Sequence, residues 1–337
     1  LKLSDFDYTL PKELIAQHPL EERDQSRLMV LDRDTKTISH HHFYDLPELL
    51  DPNSVVVFNE SRVIPARLKF KVGEGNAEVL LVKPIRDNVW ECMVKPGNKF
   101  LAKMDVAVDP ELSLHVEDVL ESGLRVIHFK CDDLKAYLRG HGHAPTPPYI
   151  KETLEDPERY QTVYSKNEGS VAAPTAGLHF TKRVLDGLKA KGIQTEFVTL
   201  HVGLGTFQGV KAENIEEHQI HSEWFSLSDE TAKRLNEAKA AGKKIVAVGT
   251  TTVRVLETCS DESGHLDARF GETQIYIYPG YRWKFVGQMV TNFHVPKSTL
   301  IMLVSSFAGL EFTMNAYTTA IGERYRFFSF GDAMLIR

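Results

Sequence analysis

Two hydrophobic periodicities divide this sequence, and the switch between them restricts the possible folds more than any single motif does. From Leu68 to about Phe129 apolar and polar residues alternate, with Leu68, Phe70 and Val72 facing one way and Lys69 and Lys71 the other. This is the period of a half-buried strand. Turn-forming runs at Gly73-Glu74-Gly75, Pro96-Gly97-Asn98 and Asp109-Pro110 punctuate further strand-like stretches, Glu78 to Val82 and Val89 to Val94. The segment reads as a small, mostly β domain. It runs into Ala144-Pro145-Thr146-Pro147-Pro148-Tyr149, where the prolines disfavour helix and mark a connector and a domain boundary.

After the connector, helix and strand patterns follow one another. Thr181 is placed to cap a helix to Lys191, which Gly192 ends, and Ile193 to Thr199 then reads as a buried strand. Ser228, with Asp229 and Glu230 in the first turn, opens a second helix to Ala241; Gly242 stops it before the strand Lys244 to Val248. Mixed elements also fill Leu10 to Ala66, so the expected architecture is a mixed α/β main domain with a small β-barrel-like domain inserted in it. The expected boundaries are 1–67 and 149–337 for the main domain and 68–148 for the insertion. No fixed-period repeat is evident, which disfavours a solenoid.

A chain of 337 residues, 42% of them hydrophobic, is long enough for two buried cores. Lys and Arg number 40 against 46 Asp and Glu, a formal net charge of -6, so the mean field does not attract nucleic acid and any RNA contact rests on a local basic patch. Leu1 to Gln17 carries Asp5, Asp7 and Glu13 and has no apolar run, unlike a signal or transit peptide. Leu300 to Val304 is far short of a bilayer span and reads as a core helix. Cys92, Cys131 and Cys259 are widely spaced without a Cys-x-x-Cys pair, which fits a reducing cytoplasm better than a disulfide framework or a cysteine zinc site.

Six polar segments sit where strands end or helices begin. Asn59 to Arg67 follows the apolar strand Val55 to Phe58 and carries Arg62 and Arg67, two guanidiniums suited to phosphate or carboxylate; the alternative is a solvated strand end. Gly169 to Thr181 is rich in small residues and includes Thr175 and His179, allowing close backbone approach to a ligand and proton transfer; a tightly packed loop with a structural histidine competes. His201-Val202-Gly203-Leu204-Gly205-Thr206-Phe207 has a Gly-x-Gly, but Gln208 stands at the third fingerprint position, which rejects a dinucleotide loop.

The other three follow in the second half of the chain. Val246 to Glu257 combines strand, Gly-Thr turn and helix start, so Thr250, Thr251 and backbone amides can receive an anion with Arg254 beside them; a purely structural threonine cap is the alternative. Thr291 to Leu300 presents Asn292 and His294 ahead of Pro296. Tyr325 to Met334 pairs Arg326 with aromatics that can stack on bases or simply fill a core. Glu217-His218-Gln219-Ile220-His221-Ser222-Glu223 matches no zincin order, and His141-Gly142-His143 and His40-His41-His42 are bare clusters, so no metal is expected. No Gly-x-Ser-x-Gly elbow or Walker loop is present.

Together these segments, with Tyr160-Gln161-Thr162-Val163-Tyr164-Ser165, resemble the S-adenosylmethionine:tRNA ribosyltransferase-isomerase family over essentially the whole chain. Three positions depart from the family's usual pattern: Glu60 for Asn or Asp, Gly287 for Asp, and Val295 for Leu. The resemblance implies transfer and isomerisation of the ribosyl part of S-adenosylmethionine onto the aminomethyl group of a 7-deazaguanine in a tRNA with a queuosine-type anticodon. It implies release of adenine and methionine, with S-adenosylmethionine as co-substrate and no metal. A base or a desolvated pocket must supply the neutral amine. His179, His201 and His294 are the candidates for proton transfer. Expected around the substrates are Asn59, Arg62, Arg67, Thr175, Gly203, Gly205, Thr206, His221, Thr250, Thr251, Arg254, Asn292 and Arg326. The expected protein is a cytoplasmic monomer without a membrane partner. The competing readings are an S-adenosylmethionine-dependent RNA methyltransferase, disfavoured by the missing Rossmann loop, and a noncatalytic tRNA-binding protein.

Overall fold

The computed structural model describes residues 1–152, 154–203, 209–210 and 212–337. The chain divides into two units: Leu1–Arg62, Pro148–Asn167 and Ala173–Arg337 form one, and Val63–Pro147 with Glu168–Ala172 the other. The first unit opens with β1 (Arg27–Asp32), β2 (Thr37–His42), the short helix α1 (Leu46–Leu49) and β3 (Ser54–Asn59). The short strand β4 (Ser61–Val63) then ends this part of the chain.

The second unit holds β5 (Arg67–Val72), β6 (Gly75–Arg86), β7 (Val89–Lys95), β8 (Asp105–Ala107), β9 (Ser113–Val119), β10 (Arg125–Lys130) and the helix α2 (Leu134–His141). Its strands form an antiparallel, barrel-like sheet in the order β5-β6-β7-β10-β9-β8. The period-two pattern is the cause. Val79, Leu81, Cys92, Leu114, Val116, Ile127 and Phe129 are buried, while Glu78, Glu91, His115 and His128 stay partly accessible; Leu80 in β6 breaks the alternation and is buried too.

β11 (Asn167–Ser170) precedes the return to the main unit, which continues through α3 (Lys182–Ala190), β12 (Gln194–Leu200), β13 (Glu223–Leu227), α4 (Asp229–Ala240) and β14 (Lys244–Val248). It ends with α5 (Gly249–Cys259), β15 (Arg269–Thr273), β16 (Gln288–Asn292), α6 (Thr299–Ala308), α7 (Leu310–Gly322) and β17 (Ala333–Ile336). The helix boundaries follow local chemistry. Thr181 Oγ1 accepts from Val184 N at 3.3 Å to start α3, and Ser228 Oγ accepts from Thr231 N at 3.2 Å to start α4.

These strands form one nine-stranded mixed sheet, β15-β13-β12-β3-β14-β16-β17-β1-β2. β12, β3, β14 and β16 run parallel, with Val57 opposite both Glu196 and Ala247, and Val246 opposite Gln288. β3 is buried at every position, which explains its unbroken run of Val55, Val56, Val57 and Phe58. Val56, Phe58, Val246, Val248 and Val290 form part of a core that also contains Phe43, Phe180, Val184 and Leu188. Among the described residues no single helix is long and apolar enough to cross a membrane; α6 and α7 pass by length and composition only as a pair, bent by 114°.

One consequence of the parallel core positions the chemistry. The carboxyl ends of β12, β3, β14 and β16 all open on the same side, where the chain leaves β12 at His201 and β16 at Phe293 and enters α5 from β14 at Gly249. Crevices at this end of a parallel sheet are where open α/β folds bind ligands.

Candidate active site

A pocket opens at that end, in the main unit. Thr175 and Ala176 line one wall, Gly249, Thr250 and Thr251 a second, and Thr291, Asn292 and His294 a third, with Val202, Tyr149 and Phe328 around them. Gly249 has φ +85°, a left-handed conformation that glycine adopts without steric penalty. This turn takes the chain from β14 straight into α5, whose first residues Gly249, Thr250 and Thr251 face the pocket. No side chain caps α5; Thr252 instead donates to Val248 O at 2.7 Å, and the Thr251 hydroxyl is buried without a partner. Unpaired donors of a helix start thus share the wall with a free hydroxyl.

Asn292 joins this pocket to a buried polar line behind it. Its Oδ1 accepts from Thr175 Oγ1 at 3.1 Å, and its Nδ2 lies 3.0 Å from His179 Nε2 and 3.2 Å from Phe328 O. His179 Nδ1 is 2.7 Å from Ser26 Oγ, and its ring stacks on Phe43. Both ring nitrogens are therefore engaged inside the protein, and His179 is 4% exposed. Burial, with Arg326 and Arg23 adding to it, pushes its pKa down to about 3, so the ring is neutral. His179 holds Asn292 in place and does not itself line the pocket. The glycine beside it is required by close packing: a Cβ on Gly177 would collide with the Tyr164 hydroxyl.

His294 does line the pocket. Its Nε2 lies 2.8 Å from Thr291 Oγ1, while its backbone is pinned separately, the amide donating to Tyr317 Oη at 2.9 Å and the carbonyl accepting from the Tyr8 hydroxyl. Burial lowers its pKa to about 3. The ring is a neutral imidazole held through Nε2 by Thr291. His201 stacks face to face on Trp224, 5.0 Å between centroids, and its Nδ1 is buried without a partner. Its pKa is also lowered by burial, to about 4. It stands beside the pocket residue Val202 without lining the pocket itself.

A second pocket adjoins the first through Leu300, which lines both. His218, His221, Tyr276, Glu223 and Arg254 surround it, with Ile220, Ile275 and Leu303 as apolar walls. Arg254 on α5 pairs with Glu223 on β13, both nearly fully buried, through Nη1 and Oε2. Glu223 Oε1 accepts from Gly203 N at 2.9 Å. The Nε and Nη2 of Arg254 have no partner.

The remaining expected residues lie elsewhere. Asn59 is fully buried: its Nδ2 donates to Leu200 O at 3.0 Å, and its Oδ1 accepts from Leu200 N at 3.0 Å and Ser61 N at 3.1 Å. It ties the end of β3 to the end of β12 and lines neither of these two pockets. Arg62 donates to Ser165 Oγ at 3.0 Å and pairs with Glu158. Arg67, in the β unit, pairs with Glu78 at 3.0 Å and donates to Thr146 O at 3.0 Å. Arg326 donates to His18 O; of its neighbouring aromatics, Tyr325, Phe327 and Phe330 are buried as core, while Phe328, also buried, borders the first pocket. Gly205 and Thr206 lie outside the described residues. Among the described residues no group of three or more His, Cys, Asp or Glu is arranged to hold a metal.

Reasoning from sequence missed Ser26, Thr291 and Glu223. Only Glu223 carried a local signal. On β13 it shares a face with Phe225 and Leu227, and a carboxylate in register with apolar residues on a buried face calls for a cationic partner.

Comparison with known proteins shows the family of the chain. A sequence model of the family described as queuosine biosynthesis protein matches residues 3–336. A protein of Acetivibrio thermocellus named S-adenosylmethionine:tRNA ribosyltransferase-isomerase is 51% identical over 346 residues, covering 100% of both chains. One of the same name from Clostridium kluyveri is 52% identical over 345 residues, again with 100% of each covered. The crystal structure of the S-adenosylmethionine tRNA ribosyltransferase of Thermotoga maritima, at 2.00 Å resolution, aligns with a TM-score of 0.58 and 39% identity over 99% of this chain and 100% of that one. This chain belongs to the queuosine biosynthesis protein family.

Proposed function

We propose that this chain is an S-adenosylmethionine:tRNA ribosyltransferase-isomerase. It transfers the ribosyl moiety of S-adenosylmethionine to the aminomethyl group of 7-aminomethyl-7-deazaguanine in a tRNA anticodon and isomerises it to the epoxide-bearing cyclopentane of epoxyqueuosine. The full-length relatives at 51% and 52% identity support the reaction class. The single observation that carries it into the structure is the pocket at the carboxyl ends of the parallel strands. Its polar lining includes Thr175, Thr250, Thr251, Thr291, Asn292 and His294, and among the described residues it contains no charged side chain.

That lining suits the chemistry. The sulfonium acidifies the neighbouring sugar carbon, so a proton must be taken up while water is kept from the activated sugar. The neutral His294 imidazole, with Thr291 on one nitrogen, is available to accept it. Asn292, held by His179, orients polar groups of the bound nucleoside. The threonines at the start of α5 supply hydroxyls and the helix start supplies amides. Ribosyl transfer severs the sugar's bonds to adenine and to sulfur and forms a bond to the substrate nitrogen; methyl transfer severs neither sugar bond. We infer further that the enzyme works in the cytoplasm as a monomer, without a metal or a membrane partner.

Chromatography of the small products, together with mass analysis of digested tRNA, tests the assignment. One adenine and one methionine per modified tRNA, with a sugar-sized gain in mass, is the expected result. S-adenosylhomocysteine formed in step with a methyl-sized gain, without free adenine, overturns it.

A further inference from the structure

We propose that the unpartnered edge of Arg254 receives the carboxylate of the aminoacyl arm of S-adenosylmethionine, in the pocket that adjoins the threonine-lined one. This assignment rests on the function proposed above and names the part of the substrate that each pocket holds. Arg254 is 6% exposed, yet only Nη1 of its guanidinium is paired, to Glu223. Nε and Nη2 are buried without an acceptor. A buried guanidinium with two idle donors is unfavourable unless a ligand completes it, and the Nε–Nη2 edge is a planar fork matched to the two oxygens of a carboxylate.

Charge decides what kind of anion. Arg254 and Glu223 already balance one another, so a phosphate dianion would bring uncompensated negative charge into a site walled by Ile220, Ile275 and Leu303. An amino-acid zwitterion adds no net charge. Its carboxylate meets the arginine, its ammonium lies in the field of the Glu223 carboxylate, and its methylene chain packs on the apolar walls. Because Leu300 borders both pockets, an arm held at Arg254 leads directly toward the ring of polar groups around Asn292 and His294. The sulfonium then lies at the junction, and the sugar to be transferred faces His294.

The test compares S-adenosylhomocysteine with its decarboxylated analogue by calorimetry, on full-length enzyme with saturating tRNA. Wild type is expected to prefer the carboxylate-bearing ligand by about 10- to 100-fold, the range of a charge-assisted hydrogen-bonded pair. In Arg254→Met the preference should fall below about threefold, with the loss confined to the carboxylate-bearing ligand. Arg254→Lys keeps the charge without the fork and should fall between; its melting temperature shows whether the fold survives where Arg254→Met does not. Equal affinity of wild type for the two ligands, no binding of either, or a folded Arg254 variant that keeps the full preference overturns the assignment. A wild type that shows the preference but releases no adenine from S-adenosylmethionine on substrate tRNA instead leaves the arm site standing and removes the ribosyl-transfer reading.

Discussion

Asn292 Nδ2 donates to His179 Nε2 across 3.0 Å, and the direction of that bond sets the state of the whole line behind the pocket. An amide NH₂ only donates, so Nε2 carries the lone pair, and the ring proton sits on Nδ1, where Ser26 Oγ accepts it at 2.7 Å. Asn292 is left with its Oδ1 turned to Thr175. A protonated His179 has no lone pair to offer, so protonation breaks the contact that holds Asn292.

Stability is expected to fall with acid for this reason. The pKa values of His179 and His294 are lowered to about 3 and that of His201 to about 4, against an ordinary value of 6.5. Between these limits the unfolded chain binds more protons than the folded one, so stability drops as pH falls from 6.5 toward 3, and these rings contribute no slope above 6.5. Urea midpoints measured from pH 8 to pH 4 should show the decline, shallower in His179→Gln. An unchanged midpoint from pH 7 to pH 4 would mean that the rings take up protons while folded.

His294→Gln should reduce kcat by about 10²- to 10⁴-fold, the range for loss of a positioned acid or base. The fold should survive, because Tyr317 and Tyr8 hold the His294 backbone and not its ring. Since the ring stays neutral down to about pH 3, it should produce no inflection near 6.5 in the wild-type pH profile of kcat. A limb near 6.5 that disappears in the variant would contradict the buried, neutral placement.

Binding of tRNA should weaken with salt, even though the chain carries a formal net charge of -6, because each neutralised phosphate releases counterions. Arg62 is not expected to be one of the contacts, since Glu158 and Ser165 already engage its guanidinium. Arg62→Ala should leave the slope of log affinity against log salt within experimental scatter. A slope shallower by about 0.7 to 0.9, the change for one lost phosphate, would show that Arg62 exchanges Glu158 for the RNA.

Removing Glu223 should be costly for the fold itself. Its carboxylate joins Arg254 on α5 to the Gly203 amide, and deleting one partner of a buried pair typically destabilises by about 3–5 kcal/mol. Glu223→Ala should show that loss in chemical denaturation. A change below about 1 kcal/mol, the level of an exposed pair, would place the pair in contact with solvent.

The sequence alone determined the features that depend on nearby residues. Thr181 and Ser228 start α3 and α4 because a hydroxyl reaches an amide three residues on, and the period-two run beyond Leu68 becomes antiparallel sheet because one face of it is apolar. The unbroken apolar β3 and the Gly249-Thr250 turn into α5 were legible for the same reason. Tertiary structure decided which polar residues share a pocket. Asn59 and Asn292 both end strands of the parallel core, yet one clamps Leu200 and the other faces Thr175. His179 and His294 are alike in sequence terms, but Ser26, 153 positions before His179, occupies the nitrogen that would have to move a proton. Arg254 and Glu223, 31 positions apart, become one buried pair only when α5 packs on the sheet that contains β13. Local pattern sets where a side chain leaves the backbone; burial and the partner that satisfies it depend on segments far away in the chain.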